Sequence, residues 1–252
     1  EKPEYLKQSI ESIQMQTLPT DNFVLVCDGP LTQELNDVIA EKEQEMQHVL
    51  NVIRLKKNGG LGNALNEGIK YCQNELVARM DSDDIAYPNR CEKQVDVFNT
   101  RPEVSVCSGI VEEFSTSYEI VDSKRIPPEK QEEIIEFAKK RNPFNHPCVM
   151  YKKSAVEAVG SYQDFYLLED YYLWLRLLMA GYQGYNIQEP LLHMRAGKDM
   201  YLRRAGWRYA VAQAKLFKFM KEHKFIGSFQ YIKSCIVRGG SAMAPNWLRR
   251  FM

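Results

Sequence analysis

The sequence contains no run of about 18 apolar residues, the length a membrane-crossing helix requires, and nothing that resembles a signal peptide. Internal repeats and low-complexity tracts are also missing. Its six cysteines, Cys27, Cys72, Cys91, Cys107, Cys148 and Cys235, form no C-x-x-C pair and no metal-ligand spacing. Most sit in apolar stretches and read as reduced core thiols, which points to the cytoplasm. Net charge is lacking as well, with 33 basic and 33 acidic side chains, which argues against a nucleic-acid binder governed by bulk electrostatics. With 44% hydrophobic and 26% charged residues over 252 positions, disorder is excluded, and one large domain or a core with an appendage is expected. The neutrality hides an asymmetry. From Lys198 onward twelve Lys or Arg face only Asp199 and Glu222, so 21 basic and 31 acidic residues lie before that point.

What is present begins with alternating helical and strand patterns. Pro3 suits a first helical position, and Leu6, Ile10 and Ile13 recur at helical spacing, so residues 3 to 15 read as an amphipathic helix. Continuous apolar strands follow at Phe23–Cys27, Val49–Leu55 and Glu75–Met80, separated by helices at about Thr32–Met46 and 61–72. Such strands imply a parallel sheet covered on both faces, an α/β fold. Ligands bind beyond the carboxyl ends of strands in these sheets, and Asp28, Asn58 and Asp81 all fall just past a strand end. Further on, a helix runs to about Thr100. Strands are expected at Val104–Cys107, Ile110–Phe114, Tyr182–Ile187 and Leu191–Arg195, with helices at Glu129–Lys140, Lys153–Val159 and Glu169–Ala180. Asn142 to Pro147 is a rigid loop.

The chemistry concentrates at Asp81-Ser82-Asp83-Asp84, three carboxylates in four residues. Such crowding is costly unless it is solvated or neutralised by a cation. Mg²⁺ and Mn²⁺ favour carboxylate oxygen, and Mg²⁺ keeps positions for water and substrate phosphates, so the tetrad suggests a nucleotide diphosphate. An EF-hand is excluded because Ile85 and Ala86 stand where an oxygen ligand and a glycine are required. The stretch Asn58 to Gly68 has the glycines of a phosphate cradle but no G-K-[ST], so it is not a Walker loop; a bland turn with tight helix packing would use the same glycines.

Together, Asp28-Gly29, Asn58-x-Gly60-x-x-x-Ala64-x-Asn66-x-Gly68, the aspartate tetrad and Glu169-Asp170-Tyr171-x-Leu173-Trp174-x-Arg176 resemble the inverting nucleotide-sugar glycosyltransferases of family two, in that family's order. Asn142 to Pro147, Gly160 to Asp164 and Met194 to Gly197 suggest the bacterial enzymes of capsule and exopolysaccharide assembly. The resemblance implies a GT-A fold, a mainly parallel central sheet flanked by helices. It implies that Asp28 bonds the base, that Asn58, Gly60 and Asn66 shape the base and ribose pocket, and that Asp81 and Ser82 meet ribose or metal-bound water; otherwise Asp28 is a turn residue before Gly29-Pro30 and Asn66 a brace of its helix. Asp83, with Asp81, would ligate Mn²⁺ or Mg²⁺, while Asp84 supports from behind and Arg79 answers the negative field or simply lies on the sheet. Asp170 would be the general base, with Glu169 as the alternative and Asp164 a weaker candidate; acids in a helix's first turn are otherwise ordinary dipole complements. His146 is expected either to reach diphosphate or acceptor or, as a lone His commonly does, to serve the structure, and Arg195, with Arg203 and Arg204, to close over the phosphates. No His lies within Met194 to Lys198, where many relatives carry a metal ligand, and His193 just precedes it. The family's first strand has no counterpart ahead of Pro3, so a truncated chain with an unpaired sheet edge is expected.

The expected activity is metal-dependent, inverting transfer of a sugar from an NDP-sugar, UDP favoured, to a hydroxyl of a bacterial surface glycan or lipid-linked precursor. The alternatives are a sugar-nucleotide nucleotidyltransferase and a catalytically silent nucleotide- or glycan-binding module. The expected division is 1–110 for the donor, 111–197 for acceptor and base, and 198–252 as a basic amphipathic tail. The tail's interleaved aromatics and cations, Trp207, Phe229 and Trp247 among them, suit peripheral contact with the inner face of the cytoplasmic membrane rather than nucleic acid. Helices packed on the core with a basic outer face would look the same.

Overall fold

The computed structural model describes residues 1–197 and 206–243. The first helix, α1 (Pro3–Gln14), starts on Pro3 and buries Leu6 and Ile10. It is followed by β1 (Phe23–Cys27), α2 (Gln33–Glu45), β2 (Leu50–Arg54), α3 (Leu61–Ile69) and β3 (Leu76–Ala78). Thr32 caps α2 by accepting a bond from the Leu35 N–H, the usual role of a hydroxyl at that position. Strands β1 and β2 pair in parallel, Phe23 opposite Leu50 through Cys27 opposite Arg54.

A second sheet holds β3, β4 (Ile85–Ala86), β5 (Val104–Phe114), β6 (Ser123–Arg125), β7 (Met150–Lys152) and β8 (Gln183–Arg195), in the order β3-β7-β5-β8-β4 with β6 on β5. This sheet is mixed: β5 and β8 run parallel, but β3–β7, β4–β8, β5–β6 and β5–β7 are antiparallel. The two strand pairs expected at 104–114 and 182–195 are two long strands. Each absorbs its interruption as a register shift around Gly109–Val111, as a bulge does. The shift needs Gly109, because a β-carbon there would fall 2.5 Å from Leu191 Cδ1.

The remaining helices are α4 (Arg90–Thr100), α5 (Gln131–Ala138), α6 (Lys153–Ala158), α7 (Glu169–Met179), α8 (Trp207–Glu222) and α9 (Ser228–Met243). Alternation along β3 sends Val77 to the core around α7 and Leu76 to the core around α4 and β8. Trp174, Leu173 and Leu177 of α7 are fully buried in the former. Among the described residues, β1 and β3 are not paired to one another. A cavity of about 630 Å³ lies between them, lined by Val24, Val26, Leu76, Ala78, Ile10 and Leu65 among others. The cavity is lined by residues of β1 and β3 together with residues of α1, α3 and α4. All six cysteines are free thiols. No described helix is long and apolar enough to cross a membrane.

Candidate active site

Strand β3 delivers the tetrad, and α1 fixes it. The Ser9 hydroxyl donates to the Asp81 carbonyl at 3.2 Å, and the Ser12 hydroxyl accepts from the Ala86 N–H at 3.0 Å. Asp81 is bonded by the Arg79 guanidinium, so Arg79 answers the field of the carboxylates. Burial opposes the charge on Arg79, but Asp81, with Tyr162 and Asp84, raises its pKa. Asp84 is buried and its Oδ1 accepts from the Arg195 N–H at 2.9 Å; burial, then Asp81 and Asp83, holds its pKa well above the usual range. Asp83 is pushed up to about 6, first by burial and then by the negative fields of Glu1 and Asp81. Ser82 is exposed. The tetrad therefore has one carboxylate paired, one turned inward, and one, Asp83, short of positive charge.

Arg195 is pinned rather than free to swing. Its Nε donates to the Asp83 carbonyl at 3.2 Å, its Nη2 to Gln8 at 3.0 Å, and its guanidinium lies 3.6 Å from the Tyr5 ring centroid and 4.6 Å from that of Phe114. Its expected companions Arg203 and Arg204 lie outside the described residues. His193 stacks on Tyr87, with Nδ1 3.6 Å from Glu112. No three His, Cys, Asp or Glu side chains among the described residues converge on one metal position.

The glycine-rich motif forms the second wall. Asp28 accepts from the Gly59 N–H at 2.7 Å and the Gly60 N–H at 2.9 Å, and Asn58 Oδ1 accepts from the Gly60 N–H at 3.1 Å. Gly60 caps α3 with φ of 85°, a backbone that favours glycine. Gly29, at φ of 100°, lies so close to the Asn58 backbone that a β-carbon would approach its nitrogen to 2.8 Å. Asp28 thus ties the two loops together with the groups that were expected to meet the base. Asn66, expected at the ribose, uses both amide atoms on the Tyr162 backbone, donating at 2.7 Å and accepting at 2.9 Å; here it braces the 160–168 loop.

The Glu169-Asp170 pair opens α7 and meets both walls. A β-carbon on Gly62 would sit 3.9 Å from Glu169 Cβ, so Glu169 lies over the first turn of α3. Asp170 turns to the 142–147 loop: its Oδ2 accepts from Asn142 Nδ2 at 2.7 Å and its Oδ1 from the Tyr171 N–H at 2.7 Å. His146 does not open toward a ligand as expected. It is buried, with Nε2 2.9 Å from the Tyr162 hydroxyl and Nδ1 3.9 Å from Asp170 Oδ2. Burial, with the Arg79 charge, holds its pKa well below the usual range, so the imidazole is neutral. Asp164 is exposed beside Tyr166 and Trp207. The four motifs, scattered over about 150 residues, therefore meet at the start of α7: Asp28 and Gly60 lead through α3 to Glu169, while Arg79, bonded to Asp81, acts on Tyr162 and His146 through its charge and His146 lies beside Asp170. Sequence reasoning singled out neither Asn142 as an individual side chain nor Tyr162, since no spacing links residue 142 or 162 to residue 170.

Comparison with known proteins decides what this arrangement belongs to. Residues 1–160 match the family described as Glycosyl transferase family 2. The chain belongs to glycosyltransferase family 2. This family-2 chain is 38% identical over 252 residues to the amylovoran biosynthesis glycosyltransferase AmsE of Erwinia amylovora, covering all of this chain and 93% of that protein. It is 36% identical over 257 residues to the UDP-Gal:alpha-D-GlcNAc-diphosphoundecaprenol beta-1,3-galactosyltransferase of Escherichia coli, covering all of this chain and 90% of that one. Among solved structures it resembles S. aureus TarS 1-349 in complex with UDP-GlcNAc, with a TM-score of 0.72 at 15% identity over 98% of this chain and 74% of that one. It also resembles the mannosyltransferase PcManGT from Pyrobaculum calidifontis in complex with GDP-Man and Mn2+, with a TM-score of 0.67 at 14% identity over 96% and 70%. The fold is GT-A, and the family-2 chain is a glycosyltransferase of polysaccharide biosynthesis.

Proposed function

We propose that the enzyme transfers a sugar from an NDP-sugar, UDP favoured, to a hydroxyl of a lipid-linked bacterial glycan precursor, inverting the anomeric configuration. The observation that carries this reading is the position of the adjacent Glu169 and Asp170 at the start of α7, Glu169 against the first turn of α3 and Asp170 beside the His146–Tyr162 pair. Asp170 is the general base. It takes the proton of the acceptor hydroxyl as that oxygen attacks the anomeric carbon from the face opposite the leaving diphosphate, a single in-line displacement in which positioning and base catalysis act together. The tetrad suits a divalent cation held by few protein ligands: Asp83 is crowded by negative charge and its pKa is pushed up to about 6. Asp83 would hold Mn²⁺ or Mg²⁺ with help from Asp81, and water and the diphosphate would complete the shell. When bound, the ion supplies charge stabilisation of the departing diphosphate. The glycine turn and Ser82 flank the nucleotide, and Arg195 braces the tetrad from behind.

The proposed division is 1–110 for the donor, 111–197 for acceptor and base, and 198–252 as a basic tail. Arg79, which lines the cavity between β1 and β3, has Nε and Nη1 buried without hydrogen-bond partners among the described residues. Peripheral contact with the cytoplasmic membrane rests on α9. Phe229, Ile232 and Ile236 recur at helical spacing and are 82%, 56% and 69% exposed. The described residues 206–243 carry seven Lys or Arg against one Glu. An exposed apolar stripe with surrounding cations suits an anionic bilayer surface, which supports a cytoplasmic enzyme held peripherally near its acceptor.

The test is a panel of UDP-galactose, UDP-N-acetylglucosamine and GDP-mannose, each scored with Mn²⁺ for thermal stabilisation and for release of nucleoside diphosphate in the presence of an N-acetylglucosamine-diphospho-lipid. One member stabilising the protein and turning over supports the proposal; no stabilisation by any member overturns it.

A further inference from the structure

We infer that Asn142 is the positioning residue of the general base, holding the Asp170 carboxylate in the orientation that the acceptor hydroxyl meets; the inference rests on the reading of Asp170 as base. The loop carrying Asn142 is rigid. Pro143 follows it, the Phe144 ring packs edge-on at 5.7 Å from the Trp174 ring, and Asn145 Nδ2 donates to the Gly109 carbonyl at 2.9 Å. Asn142 Oδ1 accepts from the Phe144 N–H at 3.4 Å, a local turn of the kind Asn favours. That contact faces the amide oxygen toward the backbone and leaves the amide nitrogen toward Asp170, which it meets at 2.7 Å.

The second oxygen of Asp170 accepts from the Tyr171 N–H, so donors on α7 itself and on a separate loop fix the carboxylate's rotation. Tertiary contact therefore sets the base, not the helix alone. Around it stand the neutral His146, with Tyr162 behind it, Tyr171 and Glu169 on α7, and Arg79 beyond Tyr162. Asparagine suits the task because its amide nitrogen donates without bringing a positive charge that would weaken the base.

The experiment reads Asp170 directly. The full chain, labelled with [¹³Cγ]aspartate, is titrated by NMR, with Asp170→Asn assigning the Asp170 signal, for wild type, Asn142→Asp and Asn142→Ala. Opposing a second carboxylate to Asp170 in Asn142→Asp should raise its midpoint by about 1 to 3 pH units, and Asn142→Ala should raise it by less. The acid limb of kcat/KM on the three-donor panel should move by the same amount, with the donor KM unchanged and kcat reduced at least tenfold. An Asp170 midpoint at its wild-type position in a folded Asn142→Asp chain overturns the inference. If that variant does not fold, an unmoved midpoint in Asn142→Ala overturns it equally. Full activity in Asp170→Asn would instead refute the base assignment, and the two failures are distinguishable because the NMR midpoint needs no turnover.

Discussion

Replacing Asp83 with Asn should make the metal-free protein more stable while abolishing its response to metal and donor. In the folded chain the Asp83 carboxyl keeps its proton up to about pH 6, whereas the ordinary value is 3.8. Between these values the folded form binds more protons than the unfolded one, so this group's contribution to stability falls as pH rises, and the full penalty is present above pH 6. A displacement of roughly two units corresponds to about 3 kcal/mol at 1.36 kcal/mol per unit. Asp83 keeps contact with solvent, so roughly half of that, about 1–2 kcal/mol, is the expected effect. At about 2–4 °C per kcal/mol for a chain of this size, Asp83→Asn should unfold roughly 2–8 °C higher than wild type at pH 8 in chelator, with the gain disappearing near pH 4. Thermal unfolding followed by circular dichroism at both pH values measures this. An unchanged or lower midpoint at pH 8, or an equal gain at both pH values, would refute the reasoning that Asp83 is a carboxylate short of a cation. Adding Mn²⁺ with UDP should stabilise wild type and leave Asp83→Asn unmoved.

Gly29→Ala combines a positive φ with a 2.8 Å approach to the Asn58 nitrogen; it should cost roughly 1–3 kcal/mol and weaken UDP binding by calorimetry more than it lowers the unfolding midpoint would suggest. Trp174→Ala removes a fully buried indole from the core behind α7 and should cost about 3–5 kcal/mol in urea unfolding. Phe229→Glu with Ile236→Glu, both at exposed positions, should leave the unfolding midpoint within experimental error. The pair should abolish flotation with phosphatidylglycerol vesicles, and undiminished flotation would remove α9 from the membrane contact.

The fold was legible where local pattern and burial agree. Phe23 to Cys27 and Leu50 to Arg54 read as strands because apolar runs bounded by turns have few other solutions, and the alternation at Leu76 and Val77 is matched by the two cores they enter. The antiparallel pairings of β7 and β4 were not legible, since pairing direction depends on long-range topology. Nor was the continuity of β5 through Ser108-Gly109, where a glycine that looks like a break is what lets Leu191 approach. At the site, the acidic tetrad stood out by composition, whereas the Glu-Asp pair was marked only by the resemblance to family two, since acids in a helix's first turn are ordinary. The partners of Asp28, Asn66 and His146 were not legible, because they come from other loops: Asp28 accepts from Gly59 and Gly60, Asn66 bonds the Tyr162 backbone, and His146 lies beside Asp170. Asn142 was visible only as part of a stiff Asn-Pro loop, and nothing in the chain's spacing connects it to α7.

The central claim, a donor site at Asp83 and a separate base at Asp170, is tested most directly by comparing wild type with Asp170→Asn on the three NDP-sugars and the N-acetylglucosamine-diphospho-lipid, with Mn²⁺ present. Donor affinity is read by thermal stabilisation and transfer by mass of the lipid product. The account predicts that Asp170→Asn binds the preferred donor as wild type does and forms product at least 100-fold more slowly, in keeping with the loss of a general base. Product formed at the wild-type rate by Asp170→Asn would contradict it.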